Sequence, residues 1–297
     1  MLEPAYSKKL ANFMAPKSRG WKIVDRSPKG IKNERVQLET GEKILKNHVK
    51  QMLRQGKTSV GAWMSIMNPE TVYTMANAGF DWLLFDTEHG PYSVETVWRA
   101  IQAMRGTKAI PLVRVAWNDI VLIKRLLDIG SYGIVVPWVN TKKDAIRAVE
   151  ACKYPPKGLR GVAPGNAVRE WGISIDEYLK TADDEIMVIV QIERDEAVKN
   201  LEEIVSVDGV DATLVGPSDL SASMNLMGQP WHPRVVKSID RVLEVCKRSK
   251  VAPGIAYGAD TDHVNRLIAQ GWQFVGVGAD LGFLQSGAQT VLKQIKR

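Results

Sequence analysis

The chain has 297 residues, 45% hydrophobic and 25% charged, with a formal net charge of +7; this is the balance of a soluble globular protein with one large α/β domain or two smaller ones. No apolar run approaches the ~20 residues that cross a bilayer, and the N-terminus has neither the apolar core nor the cleavage site of a secretory signal. The two cysteines, Cys152 and Cys246, lie far apart without CxxC spacing and read as buried thiols of a reducing compartment, the cytoplasm.

The charge is unevenly placed. Residues 1–57 hold 14 Lys+Arg against 5 Asp+Glu, and the remainder holds 26 against 28. A body this close to neutral argues against nucleic acid as a partner. Residues 1–41 read as a basic N-terminal extension, a solvated tail in preference to a membrane or nucleic-acid contact or an arm on a neighbouring subunit. Residues 42–297 carry a repeating pattern and form the expected catalytic domain.

In that pattern short apolar runs alternate with segments of helical periodicity. TSVGAW (58–63) is the first strand, followed by the helix PETVYTMANAG. DWLLFD (81–86) leads to SVETVWRAIQAMRG, AIPLVRV (109–115) to DIVLIKRLLDIG, and YGIVVPW (132–138) to TKKDAIRAVEACKYP. EIMVIVQIE (185–193) leads to RDEAVKNLEEIVSV. DATLVGP (211–217), VAPGIAY (251–257) and FVGVGAD (274–280) complete eight strands, with DTDHVNRLIAQG between the last two. Several helices open on a capping Ser, Thr or Asp and close at Gly. The strands are continuous apolar runs, which suits parallel strands covered by helices. Eight βα units predict an α/β fold of the (β/α)8 TIM-barrel type. An open doubly wound sheet would be favoured by a GxGxxG turn after the first strand, and none is present; GVGAD is a weak phosphate-loop candidate.

Catalytic groups of such barrels stand at the C-terminal ends of the strands. There the sequence places Asp86, followed by Glu88 and His89; Arg114; Gln191 and Glu193, two apart and so on one face; and the turn Gly216-Pro217-Ser218-Asp219. Glu193 and Asp219 end consecutive strands, which in a parallel sheet lie ~4.8 Å apart. Two carboxylates that close repel unless a proton or cation lies between them. Mg²⁺ or Mn²⁺, with Co²⁺ as a further candidate, suits a pair of oxygen donors with waters completing the shell. Zinc on His or Cys does not, because neither neighbours the pair. No lysine stands at a strand end beside the acids, which disfavours Schiff-base chemistry. Each residue alone has an ordinary structural reading, as a solvated strand end, a helix cap or an ion pair; their convergence on one mouth is what points to a site.

The stretches FDTEHGPYS, LVRVAWNDIVLIKRLLDIGSYGIVVPWV, YPPKGLRGV, VQIE and DATLVGPSDLSASM, in this order, resemble the HpcH/HpaI class II aldolases, metal-dependent pyruvate aldolases of the 4-hydroxy-2-oxoheptanedioate and 2-keto-3-deoxy-sugar-acid type. The resemblance covers about residues 45–285. It implies a divalent metal on Glu193 and Asp219, with pyruvate chelating it through carboxylate and keto oxygens. It further implies Arg114 as the enolate-stabilising cation, His89 as the general base and Asp128 as the carboxylate that raises the basicity of that histidine. Asp86 joins this catalytic set. Gln191, Ser218 and the rest of the Gly216–Asp219 turn match pyruvate-contacting positions, and Trp63 lines the pocket. The resemblance also implies a homo-oligomer, a hexamer with an exchanged C-terminal helix.

Elementary chemistry agrees with these roles: a dication and a guanidinium stabilise an enolate, and a histidine near neutrality moves its proton. Asp128 sits near a helix C-terminus, where the macrodipole disfavours a carboxylate, so a compensating cation such as protonated His89 is expected beside it, from its own chain or a neighbour's. The family form around the base is DGEHAPN where this chain has DTEHGPY. Thr87 and Tyr92 are therefore expected near the aldehyde side, and the stretch APGNAVREWG (163–172) differs as well. The substrates expected are a 2-oxo acid, pyruvate, and an aldehyde. Alternatives are an oxaloacetate decarboxylase or enolate-using synthase, an acyl-CoA lyase, for which the neutral body offers no basic adenine-accepting surface, and a non-catalytic barrel with a nucleic-acid-binding arm.

Overall fold

A computed structural model describes residues 46–296. The extension expected over 1–41 lies outside the described residues. Eight parallel strands close into a barrel in sequence order: β1 (Ser59–Met64), β2 (Trp82–Asp86), β3 (Ile110–Arg114), β4 (Gly133–Val136), β5 (Met187–Ile192), β6 (Ala212–Val215), β7 (Gly254–Tyr257) and β8 (Phe274–Ala279). Each predicted run supplies one strand. The helices between them are α2 (Pro69–Ala76), α3 (Val94–Ala103), α4 (Ile120–Asp128), α5 (Lys142–Cys152), α6 (Gly165–Trp171), α7 (Ile175–Glu185), α8 (Asp195–Lys199), α9 (Leu201–Val205), α10 (Pro217–Ser223), α11 (Pro233–Lys247) and α12 (Thr261–Gln270); α1 (His48–Arg54) precedes β1 and α13 (Asp280–Gln294) follows β8.

The expected caps are in place. Ser93 accepts from Thr96 N at the start of α3, Thr141 and Asp144 form a reciprocal capping box on α5, and Gly271 ends α12 at φ 104. One expected helix is broken: RDEAVKNLEEIVSV forms α8 and α9, separated at Asn200, whose side-chain amide donates to Asn140 O at 2.8 Å. That tie competes with helix continuation, as Asn side chains do near backbone acceptors.

The strands sort their side chains by parity. Trp82, Leu84, Ile110, Leu112, Val135, Met187, Ile189, Ala212, Leu214 and Phe274 fill the barrel interior, while Leu83, Phe85, Val113, Ile134, Val136, Val188, Val190, Val215 and Val275 join the helices in an outer layer. Trp82 and Phe274 stack inside at 4.2 Å between centroids. They fit because Gly61 lies against the indole; a Cβ there would stand 2.0 Å from the ring. At the bottom, α1 inserts Val49 and Leu53 into the interior cluster and closes the barrel.

Continuing the interior parity toward the strand C-termini gives Trp63, Asp86, Arg114, Gln191, Glu193 and Gly216. The apolar interior thus becomes polar at the mouth without any change of register. Asp280, 3% exposed, fixes the rim: its carboxylate accepts from Ser65 N and Ile66 N, both at 2.8 Å, tying the end of β1 to the start of α13.

Candidate active site

Arg114 is the best-anchored group of the mouth. It pairs through the β2–β3 register with Asp86, whose carboxylate accepts from Nε at 2.9 Å and Nη2 at 2.6 Å. Its guanidinium lies 4.4 Å over the Trp63 ring. Such a bidentate, stacked arginine holds its charge in one direction. Burial opposes ionisation of Asp86, but Arg114 and the N–H groups of Glu88 and His89 outweigh it and hold the carboxyl below its usual range. Glu88 Oε2 stands 3.1 Å from Arg114 Nη1, off the line of the N–H, and accepts no hydrogen bond. Burial, with Asp86 and Asp219 acting in the same direction, pushes Glu88 up to about 7 despite Arg114.

Glu193, 4% exposed, accepts from Trp138 N at 2.8 Å and from Gln191 Nε2. Burial pushes it up to about 7; the charges of Glu88 and Asp219 add to this, while the Trp138 N–H and Arg114 oppose it. Trp138 holds φ 58, a left-handed conformation rare for a bulky residue. Asp219 stands in the first turn of α10, which opens at Pro217. A Cβ built on Gly216 would lie 3.3 Å from Gln191 Nε2, 3.5 Å from Glu193 Cβ and 3.6 Å from Asp219 Oδ2. The glycine therefore keeps open the space between the two acids. A cavity of about 410 Å³ collects Glu88, His89, Trp138, Glu193, Arg194 and Asp219. His89 is exposed on its wall, and among the described residues its ring makes no hydrogen bond. The larger cavity, about 1060 Å³, lies at the other end of the barrel among Lys50, Lys153 and Asp211.

The donor set fits a hard divalent cation. Glu193 and Asp219 flank an open space, and Gln191 Oε1 and Glu88 Oε2 are buried oxygens without a hydrogen-bond partner. Among the described residues no three His, Cys, Asp or Glu side chains gather as a ready metal cage. A cation here would take two protein carboxylates and complete its shell from substrate and water, as Mg²⁺ commonly does.

The structure brings together Trp63, Asp86, His89, Arg114, Gln191, Glu193, Gly216 and Asp219. It does not bring Asp128 to His89 within the chain. Asp128 ends α4, at the bottom of the barrel, where Arg160 Nη2 reaches its carboxylate at 2.7 Å. The compensating cation expected beside it is present, and it is Arg160. Burial nevertheless pushes the Asp128 carboxyl up. The Thr87 hydroxyl and N–H both donate to Arg114 O, at 2.6 and 3.0 Å, and brace β2 against β3. Sequence reasoning missed the Trp138 N–H and Arg194. A backbone donor carries no residue signature, whereas Arg194 directly follows Glu193 in the sequence.

The model of the HpcH/HpaI aldolase/citrate lyase family matches residues 59–286. The chain belongs to this family. Among relatives of this HpcH/HpaI protein, the 4-hydroxy-2-oxo-heptane-1,7-dioate aldolase of Salmonella typhimurium is 40% identical over 247 residues, 83% of this chain and 94% of the relative. An HpcH/HpaI aldolase/citrate lyase family protein from Burkholderia cenocepacia superposes with a TM-score of 0.78 at 33% identity, over 84% of this chain and 98% of that one. An HpcH/HpaI aldolase from Desulfitobacterium hafniense gives 0.78 at 31% identity, over 84% and 96%. The expected enzyme class therefore stands: this HpcH/HpaI protein is a carbon–carbon lyase.

Proposed function

We propose that the protein reversibly cleaves a 4-hydroxy-2-oxo acid to pyruvate and an aldehyde, with residues 42–297 as the catalytic unit and 1–41 as an extension to it. The observation that carries this reading is the open cradle at Gly216, flanked by Glu193 and Asp219 in one cavity with His89 and beside a fixed Arg114. A divalent ion, Mg²⁺, Mn²⁺ or Co²⁺, held by Glu193 and Asp219, would act as a Lewis acid on the 2-oxo group. His89 takes the proton of the C4 hydroxyl, the C3–C4 bond breaks, and the aldehyde leaves. The electron pair remains on the pyruvate fragment as an enolate, and a proton returned to C3 completes the methyl group. Arg114 faces the developing negative charge already oriented by Asp86 and Trp63, so little reorganisation is needed as the charge forms. Gln191 and the Gly216–Ser218 turn orient the pyruvate end.

The protein is further proposed to act in the cytoplasm as a homo-oligomer, a hexamer by resemblance. Among the described residues no helix is long and apolar enough to cross a membrane. The C-terminal helix α13 exposes Leu281, Leu284, Val291 and Leu292, an apolar face that a second copy would cover. Asp128 enters the chemistry only through such a copy, and Leu159 and Val162, exposed on the loop that carries Arg160, offer a surface for it.

The test is exchange of pyruvate methyl protons into D₂O, followed by proton NMR, with each metal, with EDTA, and with His89→Ala and Glu193→Ala. Metal-dependent exchange lost in both variants is the expected result. Absence of exchange with every metal would overturn the pyruvate-enolate reading.

A further inference from the structure

The cavity that holds His89 is lined by three carboxyl groups, Glu88, Glu193 and Asp219; Glu88 lies 3.1 Å from Arg114, which is itself committed to Asp86. The lining itself contains a second cation, Arg194. Arg194 is half-buried, and among the described residues it forms no salt bridge. Its guanidinium instead lies 4.5 Å over the Trp138 ring, and that ring lies 5.6 Å from Trp117. Stacking on an indole orients a guanidinium without neutralising it. Arg114 and Arg194 therefore differ in availability. The first is committed to Asp86 and Trp63; the second keeps its planar fork of donors free at the cavity wall.

A partly desolvated cation without a counter-ion is costly unless an anion completes it. An anionic aldehyde entering a cavity lined by Glu88, Glu193 and Asp219 is best received where a cation meets its charge. We propose that Arg194, held over the Trp138 ring, is the receptor for a carboxylate at the far end of the acceptor aldehyde, and that this pair selects ω-carboxylated aldehydes over neutral ones. This assignment rests on the pyruvate-aldolase reading. In the condensation direction the pyruvate methyl carbon gives a proton to His89, forms the new bond to the aldehyde carbon, and the aldehyde oxygen takes up a proton. Arg194 takes no part in these transfers. It fixes the distance and tilt of the aldehyde by its remote end, so that binding energy far from the reacting carbon serves alignment.

The experiment compares succinate semialdehyde with butanal, which share a four-carbon chain and differ in the terminal carboxylate. Condensation with pyruvate is measured in the metal-loaded full-length protein, in Arg194→Met, in Arg194→Lys and in Trp138→Asn, since Asn tolerates a left-handed φ. The wild type is expected to prefer the carboxylated aldehyde. Arg194→Met lowers that preference about 10- to 100-fold, mostly through KM, as loss of a charge-assisted contact does. Arg194→Lys restores part of it, and Trp138→Asn gives an intermediate loss. An equal loss on both aldehydes would place Arg194 with pyruvate or with the fold and overturn the assignment, as would a wild type that does not discriminate. Wild-type pyruvate exchange in D₂O is run alongside. Exchange without discrimination removes the Arg194 assignment alone; no exchange removes the aldolase reading and the assignment with it.

Discussion

The two ends of the barrel use the same residue types to opposite ends. At the bottom, Lys50 is 4% exposed and pairs with Asp211 at 3.0 Å while donating to Ile186 O at 2.9 Å. Asp211 also accepts from Val188 N at 2.9 Å, and Asp81 accepts from Val60 N at 2.8 Å. These acids precede β6 and β2 and hold the start of an earlier strand by its backbone. Arg160 lies between Tyr154 and Tyr178, 4.6 and 5.7 Å from their ring centroids, with Nη2 on Asp128 and with Nε and Nη1 buried without a hydrogen-bond partner. At the mouth, by contrast, Glu88 and Glu193 are held at about 7, and Gln191 Oε1 has no partner. Charges matched within the fold, as Lys50 and Asp211 are, serve stability; the unmatched acids at the mouth are available for a ligand.

That contrast can be broken from either end. The largest effect is expected from Glu193→Gln, which should lower metal-dependent pyruvate exchange about 10³-fold. The same variant should unfold in urea no more easily than the wild type, because it removes a destabilised carboxylate. At the bottom the pattern should invert. Lys50→Met strands Asp211 and should cost about 3 kcal/mol in urea unfolding, with the exchange rate of the folded fraction retained. Comparable losses of stability at both ends would contradict the division.

The division was partly legible in the sequence. All eight strands could be read because each is a short apolar run between turn signals, and the site followed from asking which residues end them. Parity did the rest: Trp63, Asp86, Arg114, Gln191 and Glu193 share one phase with the interior cluster. What could not be read was tertiary. The Asp128 dipole argument correctly demanded a cation, but a loop thirty-odd residues downstream brings in Arg160, and no local pattern announces that. The break at Asn200 depends on Asn140 O, and the Trp138 N–H on a left-handed turn that its side chain does not favour.

Two smaller effects sharpen the comparison. Asp86 titrates below its usual range in the folded protein, so its contribution to stability is complete above the unfolded value and is lost as pH falls through the folded one. Urea midpoints should therefore drop steeply below pH about 4, and Asp86→Asn should flatten that limb. The smallest effect concerns the thiols. Burial pushes Cys152 and Cys246 up to about 12, so the native protein should give essentially no reaction with a thiol-specific disulfide reagent at pH 8, and two equivalents once unfolded. Rapid labelling of the native protein would show that the layer outside the strands opens far more readily than its packing implies.

Position 138 divides its labour between two parts of one residue. The main-chain N–H serves the buried acid of the chemistry, and the ring supports the cation that meets the substrate's remote end. A change of side chain there leaves the backbone donor in place, provided the new residue accepts the left-handed turn. Substrate range and chemical competence are therefore separable at this point of the chain. Libraries confined to residues 138 and 194 should redirect acceptor choice in aldol synthesis while the carbon–carbon bond-forming apparatus stays whole.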